Sequence, residues 1–208
     1  MRTHVYIDGF NLYYGCLKDT PFKWLDLPKL CNRLLTQNTI ASIQYFTARV
    51  EARSDDPDQS TRQETYLRAL RTFPHVRIIF GQFLTNSVRL PRADGKGFEN
   101  VLRTEEKGSD VNLATHLVHD AHLGRMECAV VITNDSDLAA PLRLVKEQLK
   151  VKVGVISPTY RTNRHPSRSL IKHAHFVKKI RKGVLRDSQL PNPVIAPDGT
   201  PIHKPSHW

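Results

Sequence analysis

The chain has 208 residues, enough for one domain with a complete hydrophobic core. Its formal net charge is +11 at pH 7, and no apolar run approaches the ~20 residues that a membrane-spanning helix needs. The three cysteines are odd in number and form no Cys-x-x-Cys pair, which argues against a disulfide framework or a zinc site. With no signal-peptide pattern at the start, these features predict a cytoplasmic protein with a polyanionic partner and no membrane association.

Strand and helix patterns alternate along most of the chain. Strand patterns occupy residues 5–8, 40–48, 76–84, 128–133 and 151–156. Helical patterns occupy residues 11–17, 27–35, 58–73, 110–121 and 138–149. This alternation predicts an α/β fold of three layers, with a mainly parallel sheet of about five strands and helices on both faces.

Two segments interrupt the alternation. Residues 85–103, with Asp94-Gly95-Lys96-Gly97 as turn residues, predict a hairpin or a long flap. Residues 169–180 predict a helix, or a helix followed by a strand. Five prolines and few apolar groups from residue 187 onward predict an extended or disordered tail. The chain therefore divides into a domain at 1–182 and a proline-rich tail at 183–208.

Four aspartates lie where strand patterns end or helical patterns begin: Asp8, Asp110, Asp135 and Asp137. Because the carboxyl ends of parallel strands meet at one edge of a sheet, we expect these carboxylates to converge there. These side chains offer a metal ion only oxygen atoms as ligands, which favours Mg²⁺ or Mn²⁺. The alternative for each aspartate is that it caps a helix.

Metal-assisted hydrolysis of a phosphodiester bond is the chemistry that fits such a site on a basic protein. Asn11 is placed to orient Asp8 or a phosphate oxygen, and Lys107 to pair with a phosphate or with developing negative charge. We therefore predict that the four aspartates bind the ion and that Asn11 and Lys107 act beside them.

Most of the excess positive charge lies late in the chain. Residues 161–186 contain nine Lys or Arg and no Asp or Glu. Such a segment attracts phosphates with a strength that falls as salt rises. We predict that Arg161, Arg164, Arg168 and Lys172 contact the phosphates of a nucleic acid. The alternative is a solvated basic helix face.

Three blocks of sequence together resemble a known family. They are Val5-Tyr6-Ile7-Asp8-Gly9-Phe10-Asn11, Glu105-Glu106-Lys107-Gly108-Ser109-Asp110-Val111 and Ile132-Thr133-Asn134-Asp135-Ser136-Asp137-Leu138. In this order they are similar to the signature blocks of NYN domains, which belong to the PIN-like nuclease superfamily. The resemblance covers roughly residues 3–180 and implies a PIN-like fold and a Mg²⁺- or Mn²⁺-dependent endoribonuclease. It also implies that all the expected acidic positions are filled.

Two other functions stay open at this point. One is a non-catalytic RNA-binding or regulatory scaffold module that works through residues 161–186. The other is a small-molecule phosphohydrolase, although Phe10 stands where the second acidic residue of such an enzyme is expected. A homodimer is also possible.

Overall fold

The computed structural model describes residues 1–52, 54–159, 165–206 and 208. Its strands are β1 (Arg2–Asp8), β2 (Thr39–Thr47), β3 (Val76–Phe80), β4 (Gln82–Pro91), β5 (Phe98–Lys107), β6 (Cys128–Ile132), β7 (Lys152–Ser157), β8 (Phe176–Lys179), β9 (Val194–Ile195) and β10 (Pro201–Ile202). Within these residues the main sheet has six parallel strands in the order β3-β2-β1-β6-β7-β8. Chain order reverses at β1, which pairs with β2 on one side and β6 on the other. Open α/β sheets bind ligands at such switch points, beyond the carboxyl ends of the strands.

Helices cover both faces of this sheet. They are α1 (Gly9–Leu12), α2 (Leu27–Leu34), α3 (Gln59–Leu70), α4 (Ser109–His122), α5 (Ala139–Glu147), α6 (Arg168–His173) and α7 (Lys182–Arg186). Val5 and Ile7 of β1 pack into a core with the buried side chains of α1, α2 and α3. Tyr6, between them, packs on the opposite face with those of α4 and α5. No helix in the described part of the chain is long and apolar enough to span a membrane.

The predicted three-layer α/β fold is confirmed, with six strands rather than about five in the main sheet. The additional strand is β8, so residues 169–180 adopt the predicted alternative of a helix followed by a strand. β8 has only four residues and lies at the sheet edge, where Val177, Lys178 and Lys179 are exposed. A strand so short and so little buried has no clear alternating pattern.

The strand predicted at 76–84 is two strands separated by Gly81. β3 stays in the main sheet, whereas β4 and β5 leave it as the predicted hairpin, which is longer than residues 85–103. A side chain at Gly81 would collide with Glu106, with the carbonyl oxygen of Lys107 at 2.7 Å and with the backbone nitrogen of Ser109 at 2.8 Å. Glycine therefore lets the returning end of the hairpin pass close to its start.

The predicted tail, residues 183–208, needs correction because its described residues are packed against the domain. Leu185, Leu190 and Val194 are buried within the core that contains α2 and α3. Trp24 donates a hydrogen bond from Nε1 to the carbonyl oxygen of Pro191 at 2.9 Å. This segment has few apolar side chains, but most of them pack into the core. Composition alone does not reveal this packing.

Candidate active site

Asp8 ends β1 as a buried carboxylate held by three hydrogen bonds. Its Oδ1 accepts from the backbone nitrogen of Asn11 at 2.9 Å, and its Oδ2 accepts from Asn11 Nδ2 at 2.7 Å and Thr133 Oγ1 at 2.9 Å. Burial raises the pKa of Asp8, and the charge of Asp135 adds to this, while the three hydrogen bonds oppose it. A carboxylate has about four lone-pair positions, so Asp8 keeps roughly one for a further ligand.

Asp135 and Asp137 follow β6 on the neighbouring strand end. Thr133 links them to Asp8, because its Oγ1 also accepts from the backbone nitrogen of Asp135 at 3.1 Å. Asp135 is half-buried, and its Oδ1 accepts from the backbone nitrogen of Asp137 at 3.0 Å, which caps the 3₁₀ turn Ser136–Leu138. Asp8 and Asp135 therefore do cap helical turns, as the alternative interpretation predicted. Asp135, however, uses only one of its two oxygens as a cap.

Asp110 lies in the first turn of α4, half-buried, and it is not the cap of that helix. Its carboxylate forms no hydrogen bond within the described residues. Burial and, in decreasing order, the charges of Asp8, Asp135, Glu106 and Asp137 together raise its pKa to about 6. The four predicted aspartates are thus brought close enough at one edge of the sheet to act on one another.

Glu106 is a member of this cluster that the sequence prediction missed. It lies near the end of β5, where Oε1 accepts from the backbone nitrogen of Ser109 at 3.0 Å and Oε2 accepts from Ser109 Oγ at 2.7 Å. Its charge also contributes to the raised pKa of Asp110. The available signal was a glutamate three residues before the serine that opens a helix, since that spacing satisfies free backbone groups at a helix start.

Lys107 follows Glu106 but faces another partner. Its side chain is exposed, and Nζ lies 2.7 Å from Glu105 Oε2. In this arrangement Lys107 forms an ion pair with Glu105, and a contact between Lys107 and a phosphate stays a prediction.

The sheet edge that carries Asp8, Asp110, Asp135 and Asp137 is called the acidic edge. Asn134 joins it to the start of the basic helix α6. Its backbone nitrogen donates to Asn11 Oδ1 at 3.2 Å, and its Oδ1 accepts from the backbone nitrogen of Ser167 at 2.7 Å. Its Nδ2 donates to the carbonyl oxygen of His165 at 3.2 Å. Sequence reasoning did not single out Asn134, which here fixes where residues 165–167 lie relative to Asp135.

The sequence of the whole sheet and acidic edge matches one family model. The NYN domain model aligns with residues 2–181. The chain belongs to the NYN domain family. The resemblance predicted from three short blocks is therefore confirmed, and with it a nuclease-like family.

Two further proteins are similar to this NYN domain. One is 6-hydroxy-3-succinoylpyridine 3-monooxygenase HspA from Pseudomonas putida (strain DSM 28022 / S16), 36% identical over an alignment that covers 100% of this chain and 75% of that protein. The other is a crystal structure of a protein of unknown function, VPA0982, from Vibrio parahaemolyticus RIMD 2210633. It superimposes with a TM-score of 0.55 at 19% identity and covers 91% of this chain and 96% of that chain, which supports the fold alone.

The acidic edge of this NYN domain suits a hard divalent cation by its donors. Among the described residues no three Asp, Glu, His or Cys side chains are already arranged as a metal site. Mg²⁺, however, commonly takes one or two carboxylates and completes its shell with water and substrate phosphate. Asp8 is fixed and offers one position, whereas the carboxylates of Asp110 and Asp137 are free of hydrogen bonds to described residues and can turn. The donor set therefore fits a hard divalent cation.

The predicted RNA-contacting residues are only partly visible in the NYN domain. Arg161 and Arg164 lie outside the described residues. Arg168 and Lys172 are both exposed on α6, whose start is fixed by Asn134. The structure thus places two of the four predicted cations on a surface that begins beside the acidic edge.

Proposed function

We propose that this NYN domain is a metal-dependent endoribonuclease that hydrolyses RNA phosphodiester bonds. The observation that carries the proposal is the convergence of carboxylates at the end of β1: Asp8, Glu106 and Asp110 line one cavity, and four neighbouring carboxylates raise the pKa of Asp110. A bound cation offsets the repulsion within a cluster of like charges at a ligand-binding edge. Mg²⁺ or Mn²⁺ supplies that charge.

Asp8, Asp110, Asp135 and Asp137 are the residues proposed to hold the ion. When bound, the ion supplies Lewis-acid activation of the scissile phosphate and of the attacking water. The protein's own part is orientation: Asn11 and Thr133 fix both oxygens of Asp8. Glu106 holds the first residue of α4 through Ser109 and so positions Asp110, which follows it.

RNA is the proposed substrate because the acidic edge belongs to a chain of net charge +11. A polyanion would be repelled by the carboxylates alone, so a separate basic surface is needed to bind the rest of the strand. Arg168 and Lys172 supply part of it on α6, next to the edge. Phosphate contacts of this kind contribute affinity without sequence preference.

The test is cleavage of labelled single-stranded and structured RNA by purified protein in Mg²⁺, in Mn²⁺ and in EDTA. Asp135→Asn is the variant, and Asp58→Asn is the matched control, because Asp58 is exposed and its side chain forms no capping hydrogen bond. We expect metal-dependent cleavage by the wild type and the control, and none by Asp135→Asn, which should still bind RNA. Equal cleavage by Asp135→Asn would refute the proposal. RNA binding without cleavage in any metal would favour the non-catalytic RNA-binding module.

A second candidate is oxygen insertion into a nitrogen heterocycle. The observation that favours it is the similarity to the Pseudomonas putida relative, which is named as a pyridine monooxygenase. Such a reaction takes O₂ and two electrons from a reductant, places one oxygen atom on the ring and reduces the other to water. Oxygen uptake by the purified protein with a hydroxypyridine and a nicotinamide reductant tests it. Uptake no greater than in a protein-free blank would remove this candidate.

A further inference from the structure

A cavity of about 560 Å³ opens on one side of the acidic edge. Asp8 and Asp110 form part of its wall, as does Glu106, whereas Asp135 and Asp137 lie outside it. Pockets of this size hold one small organic group. The cavity therefore borders two of the carboxylates proposed to hold the ion.

The wall of the cavity is unusually rich in aromatic side chains. Among the described residues these include Phe10, Tyr13, Tyr14, Tyr45, Tyr66 and Phe83. Four of these rings lie edge to face in pairs, with centroids 5.8 Å apart for Phe10 and Phe83 and 5.2 Å apart for Tyr13 and Tyr14. Tyr14 keeps 54% of its surface exposed, so its ring is available to a ligand.

The rim of the cavity adds positive charge. Lys18 and Lys23 line it, and neither forms an ion pair within the described residues. The Lys18 ammonium lies 5.6 Å from the centre of the Tyr14 ring. Arg62, by contrast, is already paired with Asp56. An aromatic wall, two ammonium groups without an ion pair to a described residue, and carboxylates that include Asp55 thus surround one space.

We propose that this cavity binds one unstacked nucleobase of the RNA strand and so places an adjoining phosphodiester at the carboxylates. The inference deepens the proposed ribonuclease function and rests on it. Aromatic side chains stack on the faces of bases, with little dependence on which base is present. The lysines on the rim bind the phosphate of the same nucleotide or of its neighbour, since a compact ammonium is a good partner for a phosphate oxygen.

The substrate that follows is unpaired RNA. A base within a duplex has both faces covered by its neighbours and has to be unstacked and unpaired before it can enter a pocket, which is unfavourable. Bases in single strands, loops and strand ends are unstacked much more easily. The cavity therefore favours cleavage in single-stranded segments over cleavage within a duplex.

The test is binding of mononucleotides in EDTA, where no cleavage takes place. AMP, GMP, CMP and UMP are the probes, ribose 5-phosphate is the probe without a base, and pyridine-3-carboxylate is a free heteroaromatic acid. Trp208 lines the cavity, and its ring centroid lies 6.3 Å from that of Trp24. Tryptophan fluorescence therefore reports occupancy of the cavity. The variants are Tyr14→Ala and Tyr14→Phe. Phe98→Ala is the matched control, because Phe98 is 59% exposed and does not line the cavity.

We expect at least one nucleotide to bind, with ribose 5-phosphate at least about 10-fold weaker. Tyr14→Ala should weaken nucleotide binding at least about 5-fold, as the loss of one stacking ring does, while Tyr14→Phe and Phe98→Ala leave it unchanged. Absence of nucleotide binding, or equal binding of ribose 5-phosphate, would overturn the inference. Tighter binding of pyridine-3-carboxylate than of any nucleotide would also overturn it, in favour of a free heterocycle.

These results separate the inference from the proposed function. Nucleotide binding that depends on Tyr14 supports the cavity assignment even if no cleavage condition is found. Conversely, metal-dependent RNA cleavage without base binding would leave the ribonuclease in place and overturn the cavity assignment alone.

Discussion

The charge of Asp8 acts on Asp110: after burial, it is the largest of the influences that raise the pKa of Asp110 to about 6. The two carboxylates come from β1 and from the start of α4, which are far apart in sequence. Hydrogen bonds from Asn11 and Thr133 fix Asp8, whereas no described residue donates a hydrogen bond to the Asp110 carboxylate. The repulsion therefore acts between one fixed carboxylate and one that can turn. Folding therefore maintains an electrostatic strain at this edge.

We predict that Asp110→Asn stabilises the metal-free protein at pH 7. An aspartate whose folded pKa is raised contributes stability below its unfolded value, near 3.8, and this is lost as pH rises through about 6. Removal of the charge should raise the free energy of unfolding by about 1 kcal/mol, after allowance for solvent screening of a half-exposed group. Urea unfolding in EDTA at pH 7 and pH 4 measures this. The gain should be much smaller at pH 4, where Asp110 of the folded protein is protonated, and a variant no more stable than wild type at pH 7 would contradict the prediction.

We predict that Glu106 matters for cleavage and that its neighbour Glu105 does not. Glu106→Gln keeps the shape but weakens the hold on Ser109, and should lower the cleavage rate by about 10- to 100-fold, as groups that position metal ligands do. Glu105→Gln is the matched control, because Glu105 pairs with Lys107 and Arg103 on the exposed hairpin. Single-turnover cleavage in Mn²⁺ compares the two. Equal rates for both variants would remove Glu106 from the site.

We predict that Arg168 and Lys172 contact RNA phosphates. Their joint replacement by alanine should reduce the slope of log K against log salt by about 1.4, since each phosphate contact to a single strand contributes about 0.7. Filter binding of a single-stranded RNA at several salt concentrations measures the slope. Lys152→Ala is the control, because Lys152 is exposed at the opposite end of the sheet. An unchanged slope for the double variant would place the RNA on another surface.

A fourth prediction concerns acid stability away from the active site. Asp120 is buried under β1, and although burial opposes it, hydrogen bonds from Tyr6, Arg125 and Gln44 lower its pKa. A lowered folded pKa adds stability above the unfolded value that is lost as pH falls through the folded one. Asp120→Asn should cost about 2 kcal/mol at pH 7 and less near pH 3. Urea unfolding at both values measures it, and a cost independent of pH would refute the electrostatic explanation.

The parts of the fold that the sequence predicts well are those with local signals. Uninterrupted apolar runs such as Val5-Tyr6-Ile7 become strands buried on both faces, and an aspartate after each run comes to the same sheet edge because the strands are parallel. The positions of Asp8 and Asp135 follow from this rule. Their function as metal ligands stays a prediction.

The parts that were missed depend on contacts between distant segments. Glu106 joins the cluster only because the hairpin returns past Gly81, and the aromatic cavity only because α1, α3 and β4 meet beside β2. Asn134 fixes the start of α6 through Ser167, which lies 33 positions further along the chain. The glutamate–serine spacing before α4 is a local signal for Glu106, but no periodicity in one sequence encodes the approach of these distant segments.

The packing of the last residues sets the size of the fragment that can be expected to fold. The family model ends at residue 181, yet Leu185, Leu190 and Val194 complete the core beyond it. A recombinant product trimmed to residue 181 would expose Trp24, which is otherwise only 1% exposed, together with the pocket wall beside Tyr66. For this protein, the unit to clone for biophysical work is longer than the span by which the family is recognised.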